Sequence, residues 1–303
     1  MEPLEGIKVL GVPIGSDAWV ANKCVEIATK AGSILPKLAR LNDPQVQLLL
    51  LRYCAHPRFM HLVRGVQPHL LMRGALEHDA GIQQCLQEVA GSPYPLGEEA
   101  VAISQLPTRW GGLGLTSAQR LAPAGWLGSW AHAWKKMVVM FPAVRDLLPH
   151  LGAPEGTGFK GHPLVAGLAA AMEDVRGARA RVLAAEREEH PVLEGLQIPA
   201  EAPGWEGFGD DRPASQKELT IYQHGSDWLR LFDAANPSVR ARLLSLSRDG
   251  ATWHLNALPE EGGFRLKPIA AVISLCLQLG ITIPLAKKFL EILELDDFPQ
   301  RAL

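Results

Sequence analysis

Apolar residues recur at Val20, Cys24, Ile27, Ala31, Ile34, Leu38 and Leu41, in steps of four and three. That rhythm lays one apolar stripe along a helix; a strand would alternate every second residue. The same spacing returns further on. "LEHDAGIQQCLQEVAG" carries Ile82, Cys85, Leu86 and Val89 on one face and stops at Gly91. Trp126, Trp130 and Trp134 sit four apart and share a helix face. No strongly alternating strand series and no internal repeat occurs; the one strand-like run is "IKVLGV" at Ile7 to Val12. The fold class expected is mainly α: a helical bundle with a short N-terminal β segment, then a second helical region.

Helix starts and stops are legible too. Ser16-Asp17 supplies capping side chains, and Pro36 predicts a kink or restart near Ser33. Asp43-Pro44 is a second start, a cap followed by proline at the first helical position. "QVQLLLLRYCA" is apolar on most sides, which predicts a central helix broken at His56-Pro57. Thr116 or Ser117 caps the helix that carries the tryptophans. Residues 151–162 and 190–214 are rich in Gly, Pro and acidic residues and read as linkers around one long Ala/Arg/Glu helix. The expected organisation is therefore 1–150, a helical domain with the β segment; 151–213, a linker with one helix; and 214–303, a C-terminal helical region.

Composition narrows the classes. With 47% hydrophobic and 20% charged residues the chain can bury a core, and a net charge of −2 gives no global case for nucleic acid or an anionic membrane. Cys24, Cys54, Cys85 and Cys276 are widely spaced, so free, mostly buried thiols and a reducing intracellular compartment are expected. "PIAAVISLCLQLGITIPLA", residues 268–286, is broken by Gln278, Gly280 and Pro284 and lacks an aromatic belt. A buried helix, not a membrane span, is expected there.

Chemistry-bearing motifs are sparse. "GVPIGS" lacks the Lys-Ser/Thr of a phosphate-binding loop, and "RWGGLGLTSA" lacks the spacing of a dinucleotide turn. Asp210-Asp211 falls in a linker and Asp296-Asp297 near the C-terminus, where rigid convergent metal ligands are not expected. The histidines and cysteines between Cys54 and Cys85 have no zinc spacing. No catalytic residue, metal site or cofactor is assigned. One local charge signal remains. Residues 1–75 carry Lys8, Lys23, Lys30, Lys37, Arg40, Arg52, Arg58, Arg64 and Arg73 against Glu2, Glu5, Asp17, Glu26 and Asp43. A helical face with that surplus can track a phosphate backbone, although an ordinary solvated face has the same look. The tryptophan stripe can stack bases, but such stripes more often form core.

Two stretches together resemble a known family. "GIKVLGVPIGSDAWV" resembles the primer-grip strand around a Leu-Gly pair in reverse transcriptases of non-LTR retrotransposons. "LPTRWGGLGLTSA", about ninety residues later, is similar to the signature that follows their thumb, and "LNDPQVQLLLLRYCAHPRFMHLVRG" resembles the thumb itself. The likeness covers roughly residues 6–135, with a looser one in "RARLLSLSRDGATWHLNALP" through "LQLGI". It implies that the strand at 7–12 pairs with palm strands outside this chain. It also places Lys8, Leu10 and Gly11 near a primer end, with Lys23, Lys30, Lys37, Arg52, Arg58, Arg64 and Arg109 toward a template–primer backbone. A fragment or degenerate copy follows, non-catalytic alone, binding RNA or an RNA–DNA duplex with low specificity. The alternative is a helical protein–protein interaction module acting through Trp and Leu helix faces. No membrane partner is expected.

Overall fold

The computed structural model describes residues 5–147, 163–185, 190, 215–248, 250–255 and 265–283. The mainly α class holds, with one two-stranded antiparallel sheet among the described residues. The chain opens with β1 (Gly6–Val9) and β2 (Val12–Gly15), then α1 (Asp17–Gly32) and α2 (Leu35–Ala39). The break between the two helices lies where Pro36 requires it, since proline has no N–H for an uninterrupted helix. Asp43 caps α3 (Pro44–Leu50), accepting the N–H groups of Gln45 and Val46 at 3.1 Å each.

The expected break at His56-Pro57 is softer than the sequence reading has it. Leu51–Ala55 widens into a π turn, closed by the His56 N–H on the Leu51 carbonyl at 2.9 Å. The chain then continues into α4 (Pro57–Met60) and a 3-10 turn, His61–Arg64. The wider turn accommodates Pro57, which has no N–H to donate.

α5 (Pro68–Val89) is the spine of the molecule. Val20, Cys24, Ala28 and Ala31 of α1 bury against Leu71 and Ala75 of α5 and Phe59, Leu62 and Val63 of the preceding turns. After α6 (Glu98–Gln105) comes α7 (Ala118–Met140), apolar nearly all round and correspondingly central. Trp126 and Trp134 are buried and Trp130 is half-buried, packed with Leu168, Met172 and Val175 of α8 (Pro163–Ala184) and Leu219 and Tyr222 of α9 (Gln216–Ala234). The tryptophan stripe is therefore core. It offers neither a base-stacking platform nor the partner-binding face of the protein-interaction alternative.

α10 (Pro237–Leu246) and α11 (Pro268–Leu279) complete the second half. α11 ends at Gly280, where Ile281 donates to the Cys276 carbonyl at 3.0 Å. Only one side of it is buried; Ile269 and Leu277 stay exposed, so the expected buried helix is half a buried helix. No helix among the described residues is long and apolar enough to cross a membrane. The largest core joins Leu51, Ile82, Ile103, Trp110 and Leu113 to Trp228, Leu243 and Leu279. Residues before position 150 and after 213 thus share one interior. Asp210-Asp211 and Asp296-Asp297 lie outside the described residues.

The glycine turn explains that junction. Trp110, Gly111, Gly112 and Leu113 are buried, and Gln278 of α11 donates Nε2 to the carbonyls of both Gly111 and Gly112 at 3.0 Å. Gly114 N–H closes the loop on the Leu106 carbonyl at 2.8 Å. The N–H groups of Gly111 and Gly112 likewise donate to the Thr108 and Pro107 carbonyls at 3.1 Å each, so a buried loop whose donors are already committed is a packing device, not a phosphate cradle.

α7 is held at its start by Asp79 of α5. The carboxylate accepts the Ser117 hydroxyl at 2.6 Å and the N–H groups of Ala118 and Gln119 at 3.0 and 3.4 Å. Ser117 in turn accepts the Arg120 N–H at 3.1 Å, so of the two candidate caps Ser117 is the one used. Asp79→Ala is expected to cost about 2 kcal/mol in a urea melt, and Asp79→Asn, which keeps an acceptor oxygen, less. Equal losses in the two variants would show that the cap contributes nothing beyond its charge.

Candidate nucleic-acid interface

The N-terminal strand is not the run Ile7–Val12 expected from sequence. It stops at Val9, turns through Leu10-Gly11, and returns as β2 in the register Gly6↔Gly15, Ile7↔Ile14, Lys8↔Pro13 and Val9↔Val12. The strand therefore has a partner in its own chain, which corrects the expectation that its pairing lies wholly elsewhere. Both turn residues have positive φ, 48° at Leu10 and 90° at Gly11, the requirement of a two-residue hairpin whose twist matches its strands. Pro13 fits because each strand of a two-stranded sheet is an edge.

Leucine is an unusual choice for that corner. A side chain in the left-handed region costs about 1 kcal/mol or more, and asparagine or glycine would avoid most of it. Leu10 is also 97% exposed, so no packing among the described residues offsets the strain. The hairpin itself is firmly seated. Trp19 lies against Gly6, Val12 against Gly65, and the Ser16 N–H donates to the Glu5 carbonyl at 2.9 Å. The turn stands beside His61: a Cβ added at Gly11 would lie 3.1 Å from its Nε2. Lys8 is exposed on β1, and Arg64 is exposed on the 3-10 turn that begins with His61. Arg58 is exposed one helical turn earlier.

The other candidates divide. Lys30 and Lys37 are exposed near the end of α1 and on α2. Lys23 is half-buried, paired with Glu26 at 2.6 Å and lying over the Trp19 ring at 5.7 Å, so part of its charge is spent locally. Arg52 is a tether: its Nη1 donates to the Leu255 carbonyl at 2.6 Å, and the guanidinium lies 5.0 Å over Tyr53. Burial pulls its pKa below the ordinary arginine value. Its inclusion in a phosphate-facing row is corrected, because a guanidinium holding residue 255 is committed to the fold. Arg109 is exposed but sits over Trp110 at 5.2 Å, on the buried glycine turn and not beside the hairpin. The hairpin thus brings Lys8, Leu10 and Gly11 beside the turn that carries Arg64, and adds His61, which no spacing in the sequence singled out; Arg58 is exposed on the helix before that turn.

The hairpin has a second surface. Ile7, Val9 and Ile14 share one side by alternation and register, and they remain 52%, 43% and 53% exposed. Elsewhere the candidate chemistry stays structural. Cys24, Cys85 and Cys276 are buried, and burial pushes each thiol up to about 11; Cys54 is exposed. Among the described residues no group of three or more His, Cys, Asp or Glu side chains could hold a metal ion. No family model, no curated protein and no solved structure matches the chain.

Proposed function

We propose that this chain corresponds to the primer-grip, thumb and post-thumb region of a retroelement reverse transcriptase, and that the described residues contribute low-specificity binding to an RNA–DNA or RNA duplex. The observation that carries the reading is Leu10: a strained, 97% exposed apolar side chain at a hairpin tip, with Lys8 on the adjoining strand and the His61–Arg64 turn beside it. Apolar side chains lodge against base steps or exposed base pairs, while flanking cations neutralise phosphates. Neither component reads sequence, which is what low specificity requires.

The test is an anisotropy titration of the full chain against a short RNA–DNA duplex at several salt concentrations. With about four phosphate contacts, affinity should fall roughly a hundredfold between 50 and 200 mM salt. Arg64→Gln should lower the salt slope by about one contact. Leu10→Asn should stabilise the hairpin by about 1 kcal/mol and yet weaken binding, the signature of strain kept for function. A flat salt response would sink the proposal.

A second reading has its own observation. The exposed Ile7, Val9 and Ile14 face, whose strand edges pair with no further strand among the described residues, has the form of a docking surface for another polypeptide's sheet. Under that reading Ile7→Thr and Ile14→Thr would abolish an association that Arg64→Gln leaves intact.

A further inference from the structure

A cleft of about 480 Å³ opens between α6, the start of α7 and α9. Its floor is apolar, formed by Ala102 and Leu106 near α6, Leu121 of α7, and Leu231 and Ala234 of α9. That volume lies within the range of small-molecule pockets, which pair an apolar body with a few polar groups. Here two glutamates belong to α6, while two arginines and one aspartate, Asp227, belong to α7 and α9. Glu98 and Glu99 stand at the first turn of α6, where Glu99 is held by Arg242. Arg120 and Arg230 stand on the other wall, with Arg120 bonded to Asp227.

Arg230 differs from its neighbours. It is exposed on the cleft wall, and Arg120 and Arg181 act on it electrostatically against Asp227 and Asp174. Asp227 is taken by Arg120, and Asp174 accepts a hydrogen bond from Gln223. Three guanidiniums therefore share two carboxylates, one of them bonded to Arg120, and burial together with the neighbouring guanidiniums pulls the Arg230 pKa down. Beside them His224 packs edge-on to Trp110 at 6.0 Å; burial, then Arg109, holds its pKa near 4, so the ring is neutral at pH 7 and adds no positive charge of its own. A positive end over an apolar floor fits one class of ligand.

We infer that this cleft binds a small amphipathic anion, with Arg230 receiving the carboxylate or phosphate head and the Leu106, Leu121 and Leu231 side chains covering a compact hydrocarbon body. The acidic end at Glu98 fixes the polarity, since an anion is repelled there and drawn to the α9 wall. Bidentate guanidinium geometry suits either head group.

Calorimetric titration of the full chain with octanoate, hexyl phosphate, octylammonium, 1-octanol and inorganic phosphate tests this. Octanoate or hexyl phosphate should bind with a Kd below about 1 mM, and whichever binds more tightly identifies the head group. Arg230→Gln should weaken that binding about tenfold and Arg230→Lys less, because lysine keeps the charge but loses the fork. Ala102→Phe, which fills the floor, should remove it while the melting curve stays cooperative. Absence of saturable binding by both amphipathic anions would overturn the inference. So would equal binding of octylammonium or octanol, equal binding of inorganic phosphate, or an unchanged affinity in Arg230→Gln with the parent's melting temperature.

Discussion

Gly112→Ala is expected to lose on the order of 4 kcal/mol of stability, a large share of the roughly 5–15 kcal/mol that holds a folded protein together. A methyl at this position would drive into the Leu106 carbonyl oxygen and lie 2.5 Å from its carbonyl carbon. Leu106 has nowhere to retreat. Its side chain is buried, and its carbonyl accepts the Gly114 N–H at 2.8 Å. Moving residue 112 instead would break the 3.0 Å bond from Gln278, the link between the glycine turn and α11. The same substitution elsewhere is a sharp control. Gly177 lies within α8 with nothing inside 4 Å of an added Cβ, so Gly177→Ala should stabilise by up to about 1 kcal/mol. Urea unfolding followed by tryptophan fluorescence reads both. A parental midpoint for Gly112→Ala would mean that the turn carries no weight in joining the two halves.

The second large effect is acid lability. His78 is buried, stacked on Phe59 with ring centroids 4.9 Å apart and 5.8 Å from the His56 ring. Burial first, and then the charge of His56, bring its pKa from 6.5 down to about 4. An unfolded chain takes up this proton near pH 6.5, while the folded chain resists until about pH 4. Stability is therefore full above about pH 6.5 and falls as pH drops toward 4, by roughly 3 kcal/mol for a shift of this size. His56, lowered mainly by burial although its Nε2 meets the Thr116 carbonyl at 2.7 Å, and His224 act in the same direction. Asp79 opposes them: burial raises its pKa despite the Ser117, Ala118 and Gln119 donors, so the folded state binds its proton more readily. The three imidazoles outnumber it, and net loss on acidification is the expected result. Urea midpoints at pH 7, 6 and 5 should decline for the parent and decline less for His78→Phe, which keeps the stack on Phe59. An identical pH slope in the two proteins would show that this imidazole titrates as freely as an exposed one.

What the sequence made legible follows from how local its signals are. Val20, Cys24 and Ala31 lie on the buried face of α1 because positions three and four apart meet on one side of any helix. Asp43 and Ser117 are caps because a short acceptor at a helix start satisfies N–H groups that have no other partner. The tryptophan stripe is core for the same periodic reason. At the hairpin the local code misled. Leu10-Gly11 lacks the Asn-Gly or Asp-Gly signature of a two-residue turn, so Ile7–Val12 reads as one strand where the chain in fact reverses. At the candidate interface, Lys8, Arg58 and Arg64 were recognisable as exposed cations, but the role of Arg52 was not, because its partner is 203 residues away. His61 had no signal at all until β2 was laid over its turn.

From its own order of residues, then, this chain determined that it would be helical, that Asp43 and Ser117 would cap two of its helices, and which faces turn inward; each of these is settled by neighbours within a turn or two. Ser16, by contrast, makes no side-chain cap, and the helix before Pro57 runs on through a π turn. Tertiary structure alone decided that Gln278 would grip a glycine turn 166 residues earlier, that Arg242 would reach Glu99, and that an apolar cleft would form between α6, α7 and α9 with Arg230 on its wall. Such pairings carry no periodic trace, since each is chosen by shape and by the need to satisfy buried polar groups once the helices have packed.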